Sequence, residues 1–156
     1  MNLTPLLIFL HITVMFAAIT VSFGSGLVMR MAYMTGQMAA VRGVGMALAR
    51  LAPTIPILFI VGGSLGLLAG ISFGQNLLAP WLLIAYVLFA GAMLIGMTEN
   101  RGFAMALGAL VARTPDGPLT TEVRAMFSSS RVVALTIVDY LIVVALIFDM
   151  VVKPFS

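Results

Sequence analysis

The segment VDYLIVVALIFDMVVKP, residues 138–154, decides the fold class, because a nearly continuous apolar run of this kind is typical of a membrane span. It supplies most of a span predicted over residues 132–152. The same segment carries two carboxylates, Asp139 and Asp149, and a charge at the bilayer centre costs at least ~2.5–3.5 kcal/mol on insertion scales. The segment therefore predicts a transmembrane helix with an unusual polar site inside it.

The composition of the whole chain supports a membrane protein. The chain has 156 residues, of which 62% are hydrophobic and 8% are charged, whereas soluble domains average about 45–50% and 25%. There is no cysteine, which excludes disulfides, thiolate metal sites and CxxC redox chemistry. The N-terminal segment lacks the basic start of a cleaved signal peptide, so we expect the first helix to be retained. No nucleic-acid-binding motif is present, and we predict no nucleic-acid partner.

Four segments are apolar and long enough to cross a bilayer. The predicted spans of a single transmembrane domain, residues 1–156, are approximately 3–29, 54–72, 77–97 and 132–152. Turn signals are confined to three short connections, so the helices are predicted to extend beyond the lipid, over 3–35, 38–73, 77–113 and 120–153. The predicted fold is all-α, an integral membrane up-down four-helix bundle whose helices extend into the cytoplasm.

Two features modify these long helices. Pro53 and Pro56 are expected to kink the second helix, because proline removes a hydrogen-bond donor and clashes with the preceding turn. An alternative also stays open, in which residues 38–50 and 103–112 form separate helices on the membrane surface.

The basic residues predict the orientation. Seven of the eight lie in the first and third connections, and only Lys153 lies in the C-terminal tail. The positive-inside rule makes those two connections cytoplasmic, so both termini face outward. At ~1.5 Å per residue, five charges fall at depths of ~33–40 Å, where the hydrocarbon should end. These inner-face charges are Arg30, Arg50, Glu99, Arg101 and Arg131.

Five polar residues are predicted to lie within the membrane. Measured from the outer helix ends, their depths are ~6 Å for Asp149, ~12 Å for His11, ~13 Å for Tyr86, ~15 Å for Ser64 and ~21 Å for Asp139. Asp149 lies close to water and to Lys153, four residues later. Asp139 has no such partner in its own helix.

His11, the only histidine, leaves three interpretations open. It forms part of a proton or cation path with Asp139, or it is a hydrogen-bonded group that fixes helix packing. In the third interpretation it supplies an axial ligand to haem, or binds copper with methionine thioethers. For the methionines, adaptable packing is the competing explanation.

No nucleotide-binding loop or hydrolytic motif is present, and we do not expect an enzyme.

A stripe of small residues predicts close helix packing. Gly62, Gly66 and Gly70 repeat every four residues in the second span, a spacing that allows backbones to approach closely in lipid. The stripe serves either packing within one chain or a homo-oligomer.

The chain resembles the bacterial DUF2269 family of predicted integral membrane proteins. The resemblance lies in LLIFLHITVMFAAITVSFGSGL near the start, the glycine-containing span after Ala52-Pro53, and the ending with Arg131, Asp139 and MVVKP. That family is distantly similar to the membrane domain of copper-resistance D proteins. The resemblance implies the four-helix fold and a bacterial inner-membrane location, with lipid as the surrounding partner; its copper link would carry over only to His11 and the methionines.

Overall fold

The computed structural model describes residues 3–154, and among these residues it contains helices and no strand. The all-α prediction is therefore confirmed. The elements are α1 (Thr4–Met34), α2 (Met38–Leu51), α3 (Thr54–Ser72), α4 (Pro80–Ile95), a π-helical turn (Gly96–Asn100), α5 (Arg101–Arg113), α6 (Thr121–Ser128) and α7 (Ser130–Val152).

Four helical stretches are long and apolar enough to cross a membrane. They are Thr4–Met34, Met38–Ser72, Pro80–Arg113 and Ser130–Val152. Only 6 to 17% of the residues in their most apolar 18-residue windows are buried. Their large aliphatic and aromatic side chains are therefore mostly on the outside, where contact with water would be unfavourable.

The helix boundaries follow the local sequence, with three departures from prediction. The helix predicted over 38–73 is divided into α2 and α3 at Ala52 and Pro53, where a kink was expected, although both residues keep helical backbone angles. The last helix is also divided, because Ser129 is extended and forms the N-cap of α7. The prediction of one helix over 120–153 was wrong there, since serine readily leaves the helical conformation for a cap. α4 begins at Pro80 rather than residue 77, and proline suits a first turn.

The start of α6 was predicted correctly. The Thr120 hydroxyl accepts a hydrogen bond from the Val123 backbone N–H, at 3.4 Å. This N-cap supplies a partner for one of the N–H groups that the first turn leaves unpaired. Glu122 lies in the same turn, where a negative charge suits the helix dipole.

The chain divides into two compact units, Met1–Leu77 and Leu78–Ser156. In the first unit, α1 packs against both α2 and α3. The start of α1 meets the end of α3, because the Thr4 hydroxyl lies 2.7 Å from the Ser72 hydroxyl. α1 and α3 are therefore antiparallel neighbours.

The second unit has a related order of elements. α4, the π-helical turn and α5 form one long helix, α6 is short, and α7 is the final span. α7 runs antiparallel to α4, since Arg131 at its start meets Glu99 and Lys153 at its end meets Trp81. A T-shaped contact between Phe103 and Phe127, with ring centroids 5.5 Å apart, joins α5 to α6.

Candidate functional site

His11 is anchored to the backbone of a neighbouring helix. Its Nδ1 atom lies 2.7 Å from the carbonyl oxygen of Gly62 in α3. Because a carbonyl oxygen can only accept, Nδ1 must carry the hydrogen and donate it. A neutral imidazole has a single N–H, so the lone pair is then on Nε2. His11 therefore presents Nε2 as the atom that could accept a proton or bind a ligand.

The glycine stripe of α3 makes room for the imidazole. A Cβ atom at Gly66 would lie 2.7 Å from His11 Cε1 and 2.8 Å from His11 Nδ1. One turn earlier, a Cβ at Gly62 would lie 2.6 Å from the Met15 sulfur. His11 and Met15 are one turn apart on α1, so both side chains lie against the bare backbone of α3.

This geometry bears on the two interpretations of the stripe. Gly62 and Gly66 are in contact with α1 of the same chain, which confirms the packing interpretation for these two residues. Gly70 is less crowded, because a Cβ there would lie 3.5 Å from Leu77 Cδ2, an ordinary contact. The homo-oligomer predicted on the same stripe stays a prediction.

Asp139 has its partner in the second unit. The side chain of Asn100 is a polar neighbour of the Asp139 carboxylate. Asn100 is the last residue of the π-helical turn, and such turns are frequent at functional sites because they redirect side chains. Of the two groups predicted to form a relay, His11 is hydrogen-bonded within the first unit, and Asp139 has a polar neighbour within the second.

The neighbouring residue of the π-helical turn forms an ion pair. Arg131 Nη2 donates to both carboxylate oxygens of Glu99, at 2.7 Å and 2.9 Å. The Arg131 side chain is 73% exposed and that of Glu99 is 35% exposed. Adjacent residues of one turn, Glu99 and Asn100, therefore face two different residues of α7.

We expect the Glu99–Arg131 pair to contribute little stability, because exposed ion pairs are typically worth ~0.2–1 kcal/mol. Arg131→Gln should lower the free energy of unfolding in detergent by less than ~1 kcal/mol, and added salt should reduce that difference. Thermal unfolding at low and high salt measures both effects, with Arg113→Gln as a control for the loss of one positive charge. A loss of several kcal/mol would show instead that the pair is a structural anchor.

Asp149 is the most buried ionisable residue of α7. Its side chain is 2% exposed, and neither carboxylate oxygen has a hydrogen-bond partner within residues 3–154. The predicted pairing with Lys153 is not formed. The Lys153 ammonium instead lies 5.2 Å from the centroid of the Trp81 ring.

The remaining predicted residues are more exposed. Tyr86 is 40% exposed on α4, and Ser64 is exposed on α3. Among the inner-face charges, Arg30, Arg50 and Arg101 are all exposed. Within residues 3–154, no three His, Cys, Asp or Glu side chains converge in a way that could hold a metal ion. For haem or copper, His11 Nε2 is a ligand atom that the hydrogen bond to Gly62 leaves unused.

Sequence reasoning missed three members of these sites. The Gly62 carbonyl is a backbone group, and composition does not show which carbonyl a side chain will reach. Asn100 was visible as a polar residue beside Glu99, but only the π-helical turn brings it to Asp139. The contact of Trp81 with Lys153 depends on the pairing of α4 with α7, which the sequence does not show.

Comparison of the chain with protein-family models, with curated proteins and with solved structures finds no match. The resemblance to the DUF2269 family therefore stays a prediction.

Proposed function

We propose that the chain is a multi-pass membrane protein that exchanges protons or cations across the bilayer. The observation that carries this proposal is the His11–Gly62 hydrogen bond, since it fixes the imidazole within a span and leaves Nε2 to exchange a proton. The bacterial inner membrane is the proposed location, with both termini outside. The four apolar helices support a membrane location, and the distribution of the basic residues supports the orientation.

The geometry allows His11 to take up and release a proton without moving. When Nε2 accepts a proton, Nδ1–H remains bonded to the Gly62 carbonyl, so the ring keeps its position. One side of the ring lies against the backbone of Gly66, which has no side chain. Asp139 is the second proposed relay group, with Asn100 as a polar neighbour. Preorganised groups of this kind reduce the rearrangement that each proton transfer requires.

Proton flux into proteoliposomes that contain a pH-sensitive dye tests the proposal. The wild-type protein should dissipate an imposed pH gradient, and His11→Asn should reduce the flux by at least about 10-fold, since positioned proton-transfer groups contribute ~10²–10⁴ in rate. Asp139→Asn should have a similar effect. The matched control is Thr13→Val, because the Thr13 hydroxyl is exposed and bonds only to the Phe9 carbonyl of its own helix. Wild-type flux in His11→Asn would contradict the proposal.

A second candidate is an accessory subunit in which the polar residues only fix helix packing. The hydrogen bond between Thr4 and Ser72, which joins the same helices as the His11–Gly62 bond, favours it. In that case the wild-type protein would show no flux above empty liposomes. His11→Asn would then change only the thermal stability in detergent.

A further inference from the structure

The second unit carries an incomplete ionic site where α4 begins and α7 ends. Trp81 lies in the first turn of α4 and Asp149 in the last turn of α7, and their side chains are 7% and 2% exposed. Lys153 follows α7 directly and reaches α4 through its side chain. One carboxylate, one indole and one ammonium group therefore occupy the same end of the α4–α7 pair.

The Asp149 carboxylate lacks the partners that a buried acid normally has. Neither oxygen accepts a hydrogen bond from any residue in the range 3–154. Asp149 also lies near the C-terminal end of α7, where the helix dipole is negative and disfavours a carboxylate. Buried charges are usually paired, so this position calls for a cation.

The Trp81 ring already shows that it accepts an ammonium group. Lys153 Nζ lies 5.2 Å from the ring centroid, within the ~6 Å range of a cation–π contact. Lys153 has a left-handed backbone conformation, with φ of 48°, which turns the chain out of the helix. Its side chain is exposed, and an exposed lysine–indole contact is weak. A stronger cation could therefore displace it.

We propose that Trp81 and Asp149 form a binding site for a small organic ammonium ion, in which the Lys153 ammonium is a tethered competitor. The indole face would bind the alkylated side of the cation, and the carboxylate would supply the counter-charge. A hydrated divalent metal ion fits less well. Calcium takes six to eight oxygen ligands, and indole offers no lone pair to a metal.

The single tryptophan of the chain makes the test direct. Choline is the probe, and its neutral carbon isostere 3,3-dimethylbutan-1-ol is the control ligand. In detergent, choline should change the Trp81 fluorescence in a saturable way, and the alcohol should not. Asp149→Asn should weaken choline binding by at least about 10-fold, because it removes the counter-charge. Glu122→Gln, which removes an exposed carboxylate from α6, should leave the titration unchanged.

Lys153 variants test the competitor role. Lys153→Ala should bind choline about 2- to 5-fold more tightly, because it removes the competing contact between the lysine and the indole. A change of this size corresponds to the strength of a weak, exposed cation–π contact. Lys153→Arg keeps a tethered cation and should bind like the wild type. No saturable response, an equal response to the alcohol, or unchanged affinity in Lys153→Ala would each overturn the proposal. The proposed site is independent of proton exchange through His11, so either proposal can fail while the other stands.

Discussion

Gly66→Ala is expected to destabilise the protein in detergent by ~1–3 kcal/mol, the typical cost of forcing extra atoms into a packed interface. The new methyl group would lie 2.7 Å from His11 Cε1, and the ring cannot retreat while Nδ1 is bonded to the Gly62 carbonyl. The His11–Gly62 hydrogen bond should therefore break. Proton flux should fall to the level of His11→Asn. Thermal unfolding measures the loss of stability, and liposomes loaded with a pH-sensitive dye measure the loss of flux.

Gly70→Ala is the matched control, since it adds the same methyl group one turn further along the same stripe. There the nearest side-chain atom is 3.5 Å away, so no clash arises, and alanine is the better helix former. The double variant His11→Ala/Gly66→Ala should recover part of the lost stability, because the clashing ring is gone. If Gly66→Ala were as stable as Gly70→Ala, the close approach of His11 to α3 would be wrong.

Introduced cysteines should show an all-or-none difference in labelling between the two sides of the membrane. The natural chain has no cysteine, so every label reports on one position. On the proposed orientation, Gln75→Cys should react in intact cells with a membrane-impermeant maleimide, because residue 75 lies in the external loop. Glu122→Cys, at an exposed position of α6, should react only after the cells are permeabilised.

The two positions control for each other, since each must be labelled in permeabilised cells. Reversed labelling would invert the orientation that the arginines predict and would place the Trp81–Asp149 end of the second unit on the cytoplasmic side. Labelling of both positions in intact cells would contradict a multi-pass arrangement with a sealed membrane.

The helices were predictable because their signals are local. Apolar run length and turn residues predicted α1 to within about a residue at each end, and Pro53 marked the position at which α2 gives way to α3, although only a kink was expected there. The division at Ser129 was missed, since a single serine is compatible with both a helix and a cap. The π-helical turn was missed for a similar reason. Nothing in the residues 96–100 distinguishes an i→i+5 hydrogen bond from the usual i→i+4 pattern.

The site was predictable as a set of residues but not as a set of contacts. Helical rise predicted depths for His11 and Asp139, which stay predictions, and the small residues at 62 and 66 marked a close helix approach. The partner atoms depend on how helices pair, which sequence spacing does not determine. Asp149 illustrates the difference: the i,i+4 spacing favours Lys153 as its partner, whereas in the structure the lysine reaches Trp81 instead.

The division of the chain into two helical units has a consequence for biosynthesis. Each unit contains a pair of apolar spans, and each pair encloses its own arginines: three in the first unit and four in the second. On the proposed orientation, each half therefore carries a complete signal for its own insertion. On this proposal, the arginines of the second pair of helices favour the same direction of insertion as those of the first.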